Sequence, residues 1–525
     1  MMACVSATQA EVPPDCPYVV TVDGKAAPIE KAGAYQGAYY VRFDLTDSVR
    51  VRVGVKATAS TAFALKPERF RTNLNRADRG IEFDVDCPGP RVITTTSGSK
   101  GLWPLIVFAD PPAQAPGAQA KVFSVANYVK SDGVQTTDIQ RALDECGAAG
   151  GGVVRFGPGT YRTGPLFVRD NTTVYLDPGS VILGSTNKAD YIVDGKLNRH
   201  DSHGPTTTAH ALINFTDCRN CVLAGRGAID GSGHVVRNEM GVNMALVNVL
   251  DGENVELRDV LLVNSPSWTV HILASKRVTV DNLKIVNDWT VGNTDGINPD
   301  CSQEVTITNY FGYCGDDALA IKTTSASDKL QGSRNIRARD CVVMTRKTAF
   351  KIGTETHKDI SDVLLERCEA IDTSRGIGLY MRDGATISDL TYRDVSLDLM
   401  EYPGEGSSGA PYTAAIEERA GVGKIDGVTF ERVSAAAPYT SGLVGHKDSP
   451  VRNVTFKDCS VKLKYRTIKM RQAPVFDLRH CADVRFRNFA VDWDDAVESL
   501  WLGFLRQEEC TDIAVEGLRE YGGSE

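Results

Sequence analysis

Hydrophobic and polar positions follow two different grammars along this chain. Between Tyr18 and Asp110, short runs change polarity at every second residue and are broken by turn residues: YVVTVDG at 18–24, YYVRFDL at 39–45, VRVRVGV at 49–55, IEFDVD at 81–86 and LIVFAD at 105–110. Period two puts one face of each strand in a core and the other in water, which predicts an antiparallel β-sandwich. Pro111, Pro112, Pro116 and Gly117 interrupt this pattern. A domain boundary is placed there, giving an N-terminal sandwich over 1–115 and a second domain over 116–525.

The second grammar opens with DIQRALDECGAA at 138–149, where Ile139, Ala142, Leu143 and Cys146 share one helical face and Thr137 or Asp138 can cap the start. Gly150, Gly151 and Gly152 end that helix. From Asn220 onward an apolar residue recurs at position zero, another at plus two and a third at plus five. The zero positions Val255, Val278, Val305, Ile336, Val363, Leu390, Val428, Val454 and Val484 are spaced by 23, 27, 31, 27, 27, 38, 26 and 30 residues. A period of that size signals a repeat architecture, and each repeat holds short strands with no adequate helix. The expected fold is therefore all-β: a right-handed parallel β-helix behind the sandwich, its open end plugged by the 138–149 helix because a terminal coil must hide its exposed face. The plus-five residues, among them Cys341, Cys368 and Cys459, predict one interior ladder in which thiols serve as small hydrophobes. The long step contains MEYPGEGSSGAPYT from Met400, an inserted loop of the kind that borders a binding face.

Composition narrows the partners. The 525 residues carry 58 basic and 67 acidic side chains, a formal charge of −9, which disfavours nucleic acid or an anionic membrane. No run approaches the roughly 18 apolar residues of a membrane span. The start, MMACVSATQAEVPPD, has neither a basic cluster nor an apolar stretch, so no secretory leader is predicted. With thirteen scattered cysteines, a reducing cytoplasm is expected unless a leader has been removed.

The candidate chemistry lies in NTDGINPDCSQEVTITNYFGYCGDDALAIKT, residues 293–323. Asp295 precedes the pair Asp316–Asp317 by 21 positions, about one coil, and neighbouring coils stack about 4.8 Å apart. Three acids would then share one patch of surface. Glycoside hydrolysis uses such a group: one carboxyl stays protonated for the leaving oxygen, ionised neighbours activate water, and repulsion raises one pKa. Inverting enzymes hold acid and base roughly 6.5–9.5 Å apart. Asp and Gly also mark ordinary turns, but two adjacent acids before an apolar strand are costly unless used.

The run SDGVQTTDIQRALDECGAAGGGVVRFGPGTYRTGPLFV from Ser131, with NSPSWTVHI at 264–272, NTDG at 293–296 and GDDALAIK at 315–322, resembles glycoside hydrolase family 28, the polygalacturonase family. The resemblance implies a right-handed parallel β-helix and hydrolysis of α-glycosides by single displacement with inversion. It also implies Asp316 as general acid, with Asp295 and Asp317 jointly activating water. Family members that cut polygalacturonate carry G-H-G one coil beyond the acid pair and R-I-K one coil further. Here those places read KTAFKIGT at 347–354 and GIGLYM at 376–381, without the basic groups that bind a substrate carboxylate. Lys351, Glu355, Arg382 and Asp383 stand nearby, a mixed-sign set suited to the hydroxyls of a neutral sugar or to plain solvation. The segment PLIVFADPP at 104–112 resembles the sandwich that precedes the β-helix in glycoside hydrolase family 49, the dextranase and isopullulanase family.

Lesser candidates surround the acids. Trp268 offers a sugar platform or a core aromatic. His271 can tune the acids or satisfy a structural bond. Lys322 can hold a hydroxyl or stabilise Asp295, and Asn293 can orient Asp295 or shape the turn. Cys218 and Cys221 form a lone CxxC without a second pair, and His200, His203 and His210 are scattered in a polar loop, so no metal and no cofactor are predicted. Three functions remain: an inverting α-glycosidase, exo-acting on oligosaccharides; a polysaccharide lyase on the same fold, with the acids as calcium ligands; and a non-catalytic carbohydrate-binding solenoid.

Overall fold

A computed structural model describes residues 13–56, 63–77, 80–95, 103–117, 119–130, 132–197, 210–324, 330–402, 408–464, 472–493, 497 and 500–522. Its N-terminal part is two five-stranded sheets packed face to face. Their shared core is built by the alternation seen in the sequence: Val49, Val51, Val53 and Val55 from one sheet meet Tyr39, Val41, Phe43, Leu105 and Val107 from the other. The strands are antiparallel with one exception, because Leu105–Asp110 runs parallel to Ala38–Asp44, with Leu105 opposite Tyr39. All six residues of that last strand are buried. Its second face, Ile106 and Phe108, joins Tyr40 and Val92 against Leu261, Val286, Phe311, Tyr313 and Met344 of the following domain, so the sandwich is docked through its sheet.

Polar groups reinforce the junction. Asp110 is 1% exposed and is paired by Arg42 Nε at 2.8 Å and by Lys284. Arg226 reaches Asp44 at 2.9 Å and Asp259 at 2.8 Å, and Asn282 donates to Asp259 at 2.8 Å. Further along, a turn of the sandwich seats on the solenoid: Gly33 N donates to Asn264, Tyr35 N and Gln36 N donate to the Asp288 carboxylate, and Trp289 N donates to Gln36 O.

From Val122 the chain winds as a right-handed parallel β-helix whose described strands form sheets of 14, 13 and 12 members. The zero positions stack in one unbroken register, Val255 on Val278 on Val305 on Ile336 on Val363, and on through Leu390, Val428 and Val454 to Val484. The plus-five residues, Cys341, Cys368 and Cys459 included, are at most 1% exposed. The described cysteines form no disulfide. Each coil turns at two left-handed residues, one just before position zero and one at plus four: Asn335 has φ 53° and Asp340 57°, and Asn453 and Asp458 repeat this with 55° and 54°. Asn and Asp tolerate that region better than other side chains, which is why they recur there.

The helix Thr136–Ala148 covers the first coils with Ile139, Ala142, Leu143 and Cys146 buried, as their spacing predicts. Its cap differs from the expectation. Gln135 occupies the N-cap without capping the helix through its side chain, Thr137 and Asp138 already lie inside the helix, and Thr136 Oγ1 accepts from Gly164 N at 2.7 Å. Among the described residues, no helix is long and apolar enough to cross a membrane.

Candidate active site

The 12-stranded sheet carries the acids. Ile297–Asp300 pairs with Leu319–Thr323 so that Ile297 lies opposite Leu319. Extending that register by two residues sets Asp295 opposite Asp317, and Gly296 N donates to Asp317 O at 2.9 Å. Thr345 Oγ1 donates to the Asp316 carbonyl from the next coil. One carboxylate oxygen from each of Asp295, Asp316 and Asp317 lies within 4.8 Å of the others. The stacked-coil expectation thus brings the three acids together, more tightly than the roughly 6.5–9.5 Å anticipated between an acid and a base. They do not lie evenly on the surface. Asp295 is 2% exposed and Asp317 3%, while Asp316 alone is partly open. The cover comes from two lysines of the same sheet, Lys322 with Nζ 3.5 Å from Asp295 and Lys351 with Nζ 2.6 Å from Asp317.

Three carboxyls at this spacing cannot ionise alike. Burial, then repulsion from its neighbours, raises Asp295 well above the usual carboxylate range. Burial and the charge of Asp317 raise Asp316. Burial also opposes ionisation of Asp317, but Lys351 and Lys322 outweigh it and, with Thr348 N donating to Oδ1 at 3.1 Å, hold that group below the usual range. The patch therefore sets a partly open carboxyl of raised proton affinity, Asp316, beside one whose affinity is lowered, Asp317.

Trp268 and His271 belong beneath this patch and do not offer a face to a sugar. Trp268 is 1% exposed, with Lys322 Nζ 4.2 Å from its ring centroid, so the indole supports the lysine. His271, 3% exposed, bonds Asp300 at 3.0 Å, and Asp300 also accepts from Thr324 N and Oγ1 at 2.8 and 2.6 Å. Asn293 is half-buried with φ 58°, shaping the turn into Asp295. Glu355 is buried and lies 3.4 Å from Lys322, which it holds from the side opposite Asp295. Arg382 and Asp383 are occupied elsewhere: Arg382 pairs with Glu417 at 2.9 Å, and Asp383 takes Arg419 Nε at 2.7 Å and Thr356 N at 2.9 Å. Of the mixed-sign set, then, only Lys351 and Glu355 adjoin the acids. Cys218 and Cys221 are buried, His210 is half-buried, and His200 and His203 lie outside the described residues.

Three features escaped the sequence reading. Thr348, in the segment 347–354, donates its backbone N–H to Asp317. At Gly378, in the segment 376–381, a Cβ would lie 2.6 Å from the Tyr380 ring and 3.1 Å from Thr348 Cγ2, so that ring fills the space a side chain would need. Asn298, aligned with His271 on the preceding strand, is fully buried with neither amide atom hydrogen-bonded. Its motif neighbours NTDG gave the only signal, since an Asn in a strand is otherwise unremarkable.

The profile of glycosyl hydrolases family 28 matches residues 172–482, more than half of the chain and the whole of the acid-bearing coils. The chain belongs to family 28. Among curated proteins, a probable polygalacturonase of Vitis vinifera is 25% identical over 285 residues, 50% of this chain and 57% of that protein. The first three such relatives are matched over 57%, 62% and 63% of their length, so this chain spans less than two thirds of each. Among solved structures, the family 28 exopolygalacturonase of Yersinia enterocolitica superposes with TM-score 0.57 and 16% identity, covering 93% of this chain and 98% of its own. Dex49A from Penicillium minioluteum gives 0.54 and 11% identity with 96% of both chains covered. Since both matches span nearly the whole chain, the sandwich-then-solenoid order is a shared fold, in line with the family 28 and family 49 resemblances.

Proposed function

We propose that this family 28 chain hydrolyses α-glycosidic bonds of an oligo- or polysaccharide. The observation that carries the reading is the divergence of three acids within 4.8 Å, with Asp316 partly open and raised in proton affinity and Asp317 lowered by Lys351. Asp316 donates to the leaving oxygen. Asp317 draws a proton from water, and Asp295, whose affinity for a proton is raised, shares it across the strand pair. Inversion follows from the family resemblance.

For the sugar, two observations pull apart. The relatives above are polygalacturonases, which supports a uronate substrate. Thr348, Gly378 and Tyr380 replace the basic triplets, which favours a neutral or modified unit, although Arg382 and Asp383 lend that reading no contact. We assign the primary substrate as an α-linked, uronate-containing glycan attacked from its end.

The test incubates the protein with α-linked oligogalacturonates and with their carboxyl-reduced counterparts, following the anomeric proton by NMR. The β-anomer forming first, with monosaccharide as the earliest product, is the expected result. A first-formed α-anomer would mean that the close acids work through a covalent intermediate. A ladder of mid-chain products would remove the end-cutting assignment, and an unsaturated product absorbing in the near ultraviolet would replace hydrolysis by lyase chemistry.

A further inference from the structure

The acid-bearing coils are walled on one side by parts that no motif marks. The turn His234–Glu239 places Arg237 Nη2 3.4 Å from Asn293 Oδ1, two residues before Asp295. Arg237 Nη1 is buried and has no hydrogen-bond partner. Among the described residues no carboxylate lies within ion-pair distance of this guanidinium, and burial lowers its pKa with no acid to offset it. That is an unusual state for an arginine, whose planar donors are costly to bury unpaired and well shaped for a carboxylate.

Beside it, on the same turn, His234 meets Tyr35 of the N-terminal domain, ring centroids 4.4 Å apart and planes tilted by 47°. Tyr35 is 58% exposed, a large aromatic left open. Its backbone is not loose. Tyr35 N and Gln36 N are held by Asp288 at 2.8 and 3.1 Å, and Gln36 O takes Trp289 N at 2.9 Å, on the segment that leads into Asp295. Trp289 is itself stacked on Tyr313 at 4.4 Å. On the far side, Arg346, the residue after Thr345, reaches Gln36 Oε1 at 3.4 Å.

From these contacts we propose that Tyr35, His234 and Arg237 form a sugar subsite at the junction of the two domains. In it Arg237 takes the carboxylate of a uronosyl unit next to the scissile bond, and Tyr35 supports the ring of that unit. The inference rests on the hydrolytic reading above and gives the N-terminal domain a part in substrate binding. A sugar ring offers C–H groups to an aromatic face, and the carboxylate completes the donors that Arg237 leaves open. This also accounts for uronate binding by a chain whose usual basic triplets are replaced, since the charge is supplied from the opposite wall.

The test separates binding from cleavage by working in full-length Asp316→Asn protein. Calorimetry measures the affinity for trigalacturonate and for its carboxyl-reduced neutral counterpart. Arg237→Gln is expected to weaken trigalacturonate by about tenfold or more while changing the neutral sugar by less than about twofold, and Arg237→Lys to restore part of the loss. Tyr35→Ala is expected to weaken both ligands by about the same factor, with Tyr35→Phe close to the parent. The proposal is overturned if Asp316→Asn protein does not bind trigalacturonate, if Arg237→Gln leaves its affinity unchanged, or if both ligands weaken alike. Circular dichroism of each variant shows whether it is folded, and Arg237→Lys carries the test should Arg237→Gln unfold. Should these ligands bind as expected while wild-type protein releases no reducing ends from any glycan, the subsite stands and the hydrolytic reading alone fails.

Discussion

Two clusters of buried charge in this molecule are built differently. At the domain junction, Asp44, Asp110 and Asp259 face Arg42, Arg226 and Lys284, Arg258 bridges Asp259 and Glu256 at 3.1 and 3.0 Å, and Asn282 donates to Asp259, so acids and bases balance four to four. Burial works against the Asp110 charge, yet Lys284, Arg42 and Arg226 outweigh it and hold that carboxyl below its usual range. Lys284, fully enclosed, is pushed down to about 8 by burial despite Asp110 beside it. At the acid patch, Asp295, Asp316, Asp317 and Glu355 are countered among the closest contacts by Lys322 and Lys351, with Arg419 3.7 Å from Glu355. There, two of the three clustered acids are driven upward. A balanced cluster spends its electrostatics on holding two domains together, whereas an unbalanced one drives neighbouring carboxyls apart in proton affinity.

The comparison can be broken first at the acid patch. Asp316→Asn removes the group that donates the proton, so the rate should fall about 10²–10⁴-fold. The midpoint of thermal unfolding should stay level or rise, because a strained carboxyl has been relieved. A parallel loss of stability would show that Asp316 is structural and would erase the contrast.

Asp110→Asn is the matching cut at the junction. It leaves Arg42, Arg226 and Lys284 short of a buried partner, and the expected loss is about 3–5 kcal/mol of stability in denaturant titration. The folded pKa of Asp110 is lowered, so its contribution is present above the unfolded value near 3.9 and is lost as pH falls through the folded value. The variant should therefore show a flatter stability profile below about pH 4 than the wild type. An unchanged unfolding midpoint would mean that the apolar contact of Ile106 and Phe108 docks the sandwich without help from charge.

The smallest effect sits away from both clusters and calibrates them. Asn335→Ala, at φ 53°, should cost about 1–2 kcal/mol of stability with no change in rate, and Asn335→Gly should cost less. A loss as large as that of Asp110→Asn would show that the coil corners, and not the buried charges, dominate local stability.

Much of the architecture was legible as a pattern. The zero and plus-five apolar ladders stack as spaced, because a solenoid repeats one local environment and so writes its period into the chain. Asn or Asp stands before position zero in six of the nine repeats and at plus four in seven, a signal of left-handed corners that the apolar count overlooks. The three acids were legible as well, since one coil of spacing is a local quantity. For Trp268 the sequence left a sugar platform or a core aromatic open, and for His271 a tuning role or a structural bond; burial decided for the second in each case, because sequence order does not say on which side of the sheet a side chain lies.

By itself, the sequence determined the sandwich strands, the coil period, the capping helix and the convergence of Asp295 with Asp316 and Asp317. All of these depend on residues a fixed and short distance apart along the chain or along one stack. Only the tertiary structure decided which acid is partly open and which is lowered in proton affinity, that Tyr380 closes the space above Gly378, and that Tyr35 comes to rest beside His234 at 4.4 Å. Those depend on contacts between remote segments, where proton affinity and access follow from the burial and the neighbours that packing alone supplies.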